Sequence, residues 1–176
     1  NNYNAGYSAG ETVSKWVKSG QEIGVSTMKG PAHLDARVRG FEAAIKEFSP
    51  NTLIHYIDDQ GSIERAGQRI TALLQANPKI GVVFAAHGNP TTGAAQAVRD
   101  LGLKGKVKIM GFDYGKSTVE LMESGEVEAT VGQNPYLMGY QAMMQAYAVR
   151  HPSRVLAKNP DFGMTPEIID SGVNIL

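Results

Sequence analysis

Ile80-Gly81-Val82-Val83-Phe84-Ala85-Ala86 is the stretch whose reading decides the architecture. The run carries no polar side chain and lies between the breakers Asn77-Pro78 and Asn89-Pro90, so it reads as a short strand. A strand apolar on both faces belongs in the middle of a sheet covered by helices on both sides, because a strand with one wet face would alternate. Upstream, Glu22–Met28 and Thr52–Ile57 read as strands. The helix between them carries Leu34, Val38, Phe41, Ile45 and Phe48 at steps of three and four, and the one after them turns Ile63, Ala66, Ile70, Leu73 and Leu74 inward. Downstream come a helix from about Thr91 to Leu103, a strand at Val107–Phe112, a short helix at Ser117–Met122 and a strand at Val127–Val131. Repeated β-α units imply an α/β fold with a parallel sheet and helices on both faces.

The ends are less regular. Asn4 to Lys18 reads as a helix with Ala5, Ala9, Val13, Trp16 and Val17 on one side, and no strand precedes it. Pro135–Val149 reads as a helix rich in Met and Tyr, whose apolar positions cover more than one narrow face. Such a helix packs against something on each side, and, left uncovered, it is a candidate for self-association. Ile168–Leu176 reads as a short terminal strand. The chain reads as a piece of a larger fold.

Composition narrows the function classes. Among 176 residues, Lys+Arg and Asp+Glu both number 17, so there is no electrostatic footprint for nucleic acid or an anionic membrane. No apolar run reaches the roughly 18 residues of a membrane span. Zero cysteine excludes disulfides, thiolate nucleophiles and cysteine metal ligands, and leaves the compartment open. The four histidines, His33, His55, His87 and His151, show no metal-binding spacing, and neither a Walker loop nor G-x-G-x-x-G occurs. No catalytic residue, metal or cofactor is therefore expected. Gly6-Tyr7-Ser8-Ala9-Gly10 matches the G-x-S-x-G pattern of a hydrolase elbow. That device needs a strand to deliver the serine to a strained turn; here the glycines sit inside a helical pattern.

In an open parallel sheet, ligands bind beyond the carboxyl ends of the strands. The residues just after the strands are Met28 and Lys29, Asp58 to Gly61, His87, Asp113 and Gln133. This polar, mixed set suits hydrogen bonding to hydroxyls, although loops at strand ends are polar in most proteins. Arg37 is more pointed. It lies three after Leu34 and four before Phe41, on the inward stripe of its helix, where a guanidinium needs a partner, a ligand, or a path for its head to water. His55 alternates within a strand and reads as structural.

Several stretches together resemble the type I periplasmic binding proteins, the ribose- and galactose-binding family. They are Asn1-Asn2 opening a Gly/Ala-rich helix, Arg37-Val38-Arg39-Gly40-Phe41, Leu73-Leu74-Gln75-Ala76-Asn77-Pro78, and Val83-Phe84-Ala85-Ala86 before Thr92-Gly93-Ala94. Gly111-Phe112-Asp113 follows, then Glu128-Ala129-Thr130-Val131-Gly132-Gln133-Asn134-Pro135 with Met138-Gly139. The resemblance covers nearly the whole chain. It implies two flavodoxin-like lobes with ligand clamped between them. Residues 1–131 would be the C-terminal lobe, and 132–176 a hinge plus a helix and strand returning toward an N-terminal lobe. It also implies a sugar or polyol ligand held by Arg37, Asp113, Gln133, His87, Met28, Phe112 and Asn2, with Arg37 donating, Asp113 accepting and Gln133 at the hinge. The implied role is the receptor of an ABC transporter, periplasmic or extracellular (lipid-anchored in a Gram-positive cell), delivering to a membrane permease and binding no nucleic acid. Two departures stand out. His87 occupies the place where ribose binders usually carry asparagine, and Gly61 the place of an aromatic that stacks on the sugar. The same fold serves effector domains of LacI-type repressors and periplasmic sensor domains, and these remain the alternatives. The repressors usually have a Pro-Pro-Leu-Thr-Thr-Val-like stretch where this chain has Gly125-Glu126-Val127-Glu128-Ala129-Thr130-Val131.

Overall fold

A computed structural model describes residues 1–150 and 172–176. Twelve elements follow in the order α1 (Asn2–Ser14), β1 (Glu22–Thr27), α2 (Ala32–Phe48), β2 (Ile54–Asp58), α3 (Ile63–Ala76), β3 (Ile80–Ala85), α4 (Gly88–Asp100), β4 (Lys108–Phe112), α5 (Lys116–Glu123), β5 (Ala129–Gln133), α6 (Pro135–Arg150) and β6 (Val173–Ile175). The chain forms two compact units. One is Asn2–Gly132 with Asn174–Leu176; the other is Asn1 with Gln133–Val173.

The six strands form one sheet in the order β2-β1-β3-β4-β5-β6. The pairings β1–β2, β1–β3, β3–β4 and β4–β5 are all parallel, as the β-α repeat predicts. At the far edge Thr130 and Leu176 exchange both backbone hydrogen bonds, at 3.0 and 2.9 Å, which is the antiparallel pattern. Of the predicted terminal strand, residues 168–171 lie outside the described residues, as does His151.

β3 is buried at every position, so its alternate side chains serve two cores. On one face Phe84 stacks on Phe41 of α2, with ring centroids 4.3 Å apart and planes 7° from parallel. On the other, Val83 and Ile109 join Ala66, Ile70, Leu74, Ala94 and Val98 of α3 and α4. The Ser62 side chain caps α3 by accepting from the Arg65 N–H at 3.3 Å, which satisfies one of the orphan donors of a helix start.

The Gly6-Tyr7-Ser8-Ala9-Gly10 stretch lies inside α1 and makes a helix crossing. A Cβ on Gly6 would stand 1.8 Å from the Arg37 carbonyl oxygen, and one on Gly40 would stand 2.0 Å from that of Tyr3. These glycines let the backbones of α1 and α2 approach more closely than any side chain would permit. The crossing lays the start of α1 beside Arg37. α1 ends at Ser14, so Trp16 and Val17, read above as helical, follow it. In the second unit, α6 exposes Tyr136, Met143 and Tyr147 strongly. No helix among the described residues is long and apolar enough to cross a membrane.

Candidate functional site

In this sheet order the chain turns from building one way to building the other between β1 and β3, and the crevice of an open parallel sheet opens at such a switch. The two strand ends are tied there by the Ala86 N–H donating to the Ser26 carbonyl at 2.9 Å. Around this point stand most of the residues singled out from the sequence.

Arg37 is 5 % exposed, so its head does not reach freely to water. Its Nε donates to Asn2 Oδ1 at 2.9 Å and its Nη1 donates to the Ala86 carbonyl at 2.9 Å. Its guanidinium carbon lies 3.6 Å from the centre of the Phe112 ring, a cation–π contact. These three contacts hold the group flat and in one orientation. A guanidinium has five N–H donors, and the two bonds use one each from Nε and Nη1. Burial lowers its affinity for a proton, and the Asp113 carboxylate opposes that shift, so a buried cation and an anion share this corner. Phe112 is 0 % exposed: its ring supports Arg37 and leaves no surface for a ligand in this conformation.

Asp113 follows β4 with φ +67°, a left-handed conformation that aspartate tolerates better than most residues. β5 holds it there. The Asp113 N–H donates to the Val131 carbonyl at 2.9 Å, and the Asp113 carbonyl accepts from Thr130 Oγ1 at 2.7 Å. Its Oδ2 lies 3.6 Å from where a Cβ on Gly88 would stand. The carboxylate therefore sits over the first turn of α4, where unsatisfied N–H groups favour negative charge.

His87 precedes α4, and its Nε2 bonds both oxygens of Asp59, at 3.0 and 3.2 Å. Asp59 is fully buried. Its Oδ2 also accepts from Ser26 Oγ at 2.9 Å, and its Oδ1 from the Gly61 N–H at 2.8 Å. Burial pushes this carboxyl up, but the bonds from His87, the Gly61 N–H and Ser26 outweigh burial and hold it below its ordinary value. Gly61 itself has φ +71°, and a Cβ there would meet Met28 Sδ at 3.2 Å. The turn closed by Asp59 thus places a left-handed residue at 61, with little room for a side chain beside Met28. Thr91 joins two strand ends, donating to the His87 carbonyl at 3.1 Å and accepting the Phe112 N–H at 3.2 Å.

The structure thus brings together Asn2, Arg37, Phe112 and Asp113 around one group of contacts, and His87 with Asp59, Gly61 and Met28 around another. Gln133 closes β5 and opens the second unit. Sequence reasoning singled out neither Ser26 nor Thr91, and took Asp59 only as one member of a polar loop. The D-x-G spacing of Asp59 and Gly61 is the one signal that could have pointed to an Asp-closed turn. His55 bonds Glu22 at 2.6 Å, a structural role as read, and His33 is exposed. Among the described residues no cluster of three or more His, Asp or Glu side chains could hold a metal ion.

Comparisons with known proteins converge on one family. A family model described as "periplasmic binding protein domain" matches residues 1–151. The chain is 29 % identical over 160 residues to the D-allose-binding periplasmic protein of Escherichia coli, covering 89 % of this chain and 51 % of that protein. It is 26 % identical over 165 residues to the D-ribose/D-allose-binding protein of Pseudomonas aeruginosa, covering 93 % and 48 %. Among solved structures, an arabinose binding protein from Geobacillus stearothermophilus superposes with a TM-score of 0.89 at 28 % identity, over 100 % of this chain and 60 % of that one. The chain spans about half the length of the curated relatives it matches.

Proposed function

This chain belongs to the periplasmic binding protein family, and on that premise we propose that Asn2–Gly132 with Asn174–Leu176 is one lobe of a two-lobed receptor that clamps a sugar or sugar-like polyol. The relatives named above are binding proteins for allose, ribose and arabinose. The observation that carries the reading is Arg37. A buried cation fixed by Asn2, Ala86 and Phe112, with N–H donors beyond those two bonds, is built to donate in a set direction. Asp113, an acceptor beside it, complements that donor. Adjacent hydroxyls of a sugar ring can each accept from one group and donate to the other, so the pair reads a polyol at low ordering cost.

In this reading Gln133 lies at a hinge, α6 leads to the partner lobe, and closure of the two lobes shuts the ligand away from water. The closed receptor then hands its sugar to the permease of an ABC transporter, at the periplasmic or outer face of the cell. His87, Met28 and Asn2 border the ligand or its nearest contacts, and Phe112 acts through Arg37. No step of this cycle makes or breaks a covalent bond.

A thermal-shift screen of D-allose, D-ribose and L-arabinose on the two-lobed protein tests the reading. One of them raises the melting temperature, and Arg37→Ala and Asp113→Ala each remove the shift. Loss of a hydrogen bond to a charged group weakens binding by roughly 10- to 150-fold. A sugar whose shift survives both substitutions would show that the site lies elsewhere.

A further inference from the structure

We propose that Asp59 is a positioning residue that fixes the tautomer of His87, leaving Nδ1 as a hydrogen-bond acceptor at the carboxyl end of β3. The assignment of a sugar hydroxyl to that acceptor rests on the reading above. The tautomer rests on geometry alone.

Among the described residues, the Asp59 carboxylate is bonded by Ser26 Oγ, by the Gly61 N–H, and by His87 Nε2 against both oxygens. An ionised carboxylate only accepts, so the ring nitrogen facing it carries the proton. In a neutral imidazole the other nitrogen is then bare. His87 Nδ1 makes no hydrogen bond to the described residues, while the ring itself is largely covered, with 15 % of the side chain exposed. Turning the ring over would set a carbon against a fully buried carboxylate, which is a costly loss of a partner. The turn that supplies Asp59 is itself fixed by the left-handed Gly61. Ser26, Asp59 and His87 come from the ends of β1, β2 and β3, so three elements converge to orient one nitrogen.

The consequence is selectivity of a particular kind. A side-chain amide at position 87 would offer a donor and an acceptor together, and could take a ligand hydroxyl in either sense. His87 held by Asp59 offers an acceptor alone. It therefore asks the ligand for a hydroxyl that donates, and discriminates against a methoxy or fluoro group in that place.

Long-range ¹⁵N correlation spectra of the 176-residue chain at about pH 8, where an ordinary imidazole is neutral, decide the point. His87 is assigned by comparison with His87→Gln. The expected pattern is a proton-bearing Nε2 and a bare Nδ1. Asp59→Asn should give a mixture of tautomers, whereas Ser26→Ala, which removes one donor but keeps the carboxylate, should retain the original pattern. A proton resident on Nδ1 in the unsubstituted chain overturns the proposal without need of any variant. So does an unchanged pattern in a folded Asp59→Asn protein. Millimolar D-allose added to the labelled two-lobed protein should move the Nδ1 resonance and leave Nε2 in place. If D-allose moves Arg37 Nε but not Nδ1, the acceptor role fails while the sugar site stands. If it moves neither, the sugar reading fails for that ligand, and the tautomer is judged by the first spectrum.

Discussion

Asp59 links the strand ends of β1, β2 and β3 to the stability of the fold. Burial alone would raise its carboxyl, yet His87, the Gly61 N–H and Ser26 together hold it below its ordinary 3.8. The folded value is thus lower than the unfolded one. The stabilisation it contributes is complete above the unfolded value and is lost as pH falls through the folded value. Acid melts followed by circular dichroism should show stability dropping below about pH 4, with a shallower slope in Asp59→Asn. Gly61 gives a second outcome at this scale. With φ +71° and Met28 Sδ 3.2 Å from the Cβ it would gain, Gly61→Tyr should cost about 1–2 kcal/mol for the left-handed backbone, read as a lower urea midpoint. Of this corner, the sequence made His87 and the gap at Gly61 visible. It could not show that Asp59 points inward, because its partners Ser26 and His87 lie 33 and 28 residues away.

At the level of elements, the α1–α2 crossing positions Arg37. Asn2 sits in the first turn of α1 and Arg37 in the first half of α2, and their bond at 2.9 Å depends on the two backbones meeting through glycine. Gly40→Ala would place a methyl 2.0 Å from the Tyr3 carbonyl oxygen and force α1 to back away. Overpacking of this sort typically costs about 1–3 kcal/mol. Chemical denaturation should show that loss, and a crystal structure of the variant should show the Asn2–Arg37 bond lengthened. The alternation of strands and helices was legible because each element announces its period, and the elements fall within a few residues of their predicted bounds. Arg37 was legible for the same reason: its place on an apolar stripe marked it. What filled the space around it was not, because the Phe112 ring and the Ala86 carbonyl reach it only through tertiary packing. The G-x-S-x-G match shows how the same letters read two ways. Two glycines four apart on a helix make a flat crossing surface, and only a preceding strand would have made them an elbow.

For the molecule as a whole, the two-lobed reading predicts that this chain by itself holds a ligand poorly. This chain spans about half the length of its curated relatives, and in the two-lobed reading one lobe supplies only part of the contacts to the ligand. Calorimetry on the chain by itself should find binding of D-allose, D-ribose or L-arabinose weaker than micromolar, about −8 kcal/mol; a tighter complex would mean that this lobe is a complete site. The sequence reading anticipated the α/β layering, but the exact pairing of β6 beside β5 was out of its reach, since three residues have too little pattern to announce a partner. The three-point anchoring of Arg37 carries a last consequence, one of time instead of energy. Exposed side chains hop between rotamers in picoseconds to nanoseconds, whereas hinge motions take microseconds to milliseconds. In the proposed role, a guanidinium already parked on Asn2, Ala86 and Phe112 would have no search to complete when a ligand arrives. The tempo of capture would then be set by diffusion and by the swing of the lobes, and a stopped-flow trace would carry no slow local phase from this corner.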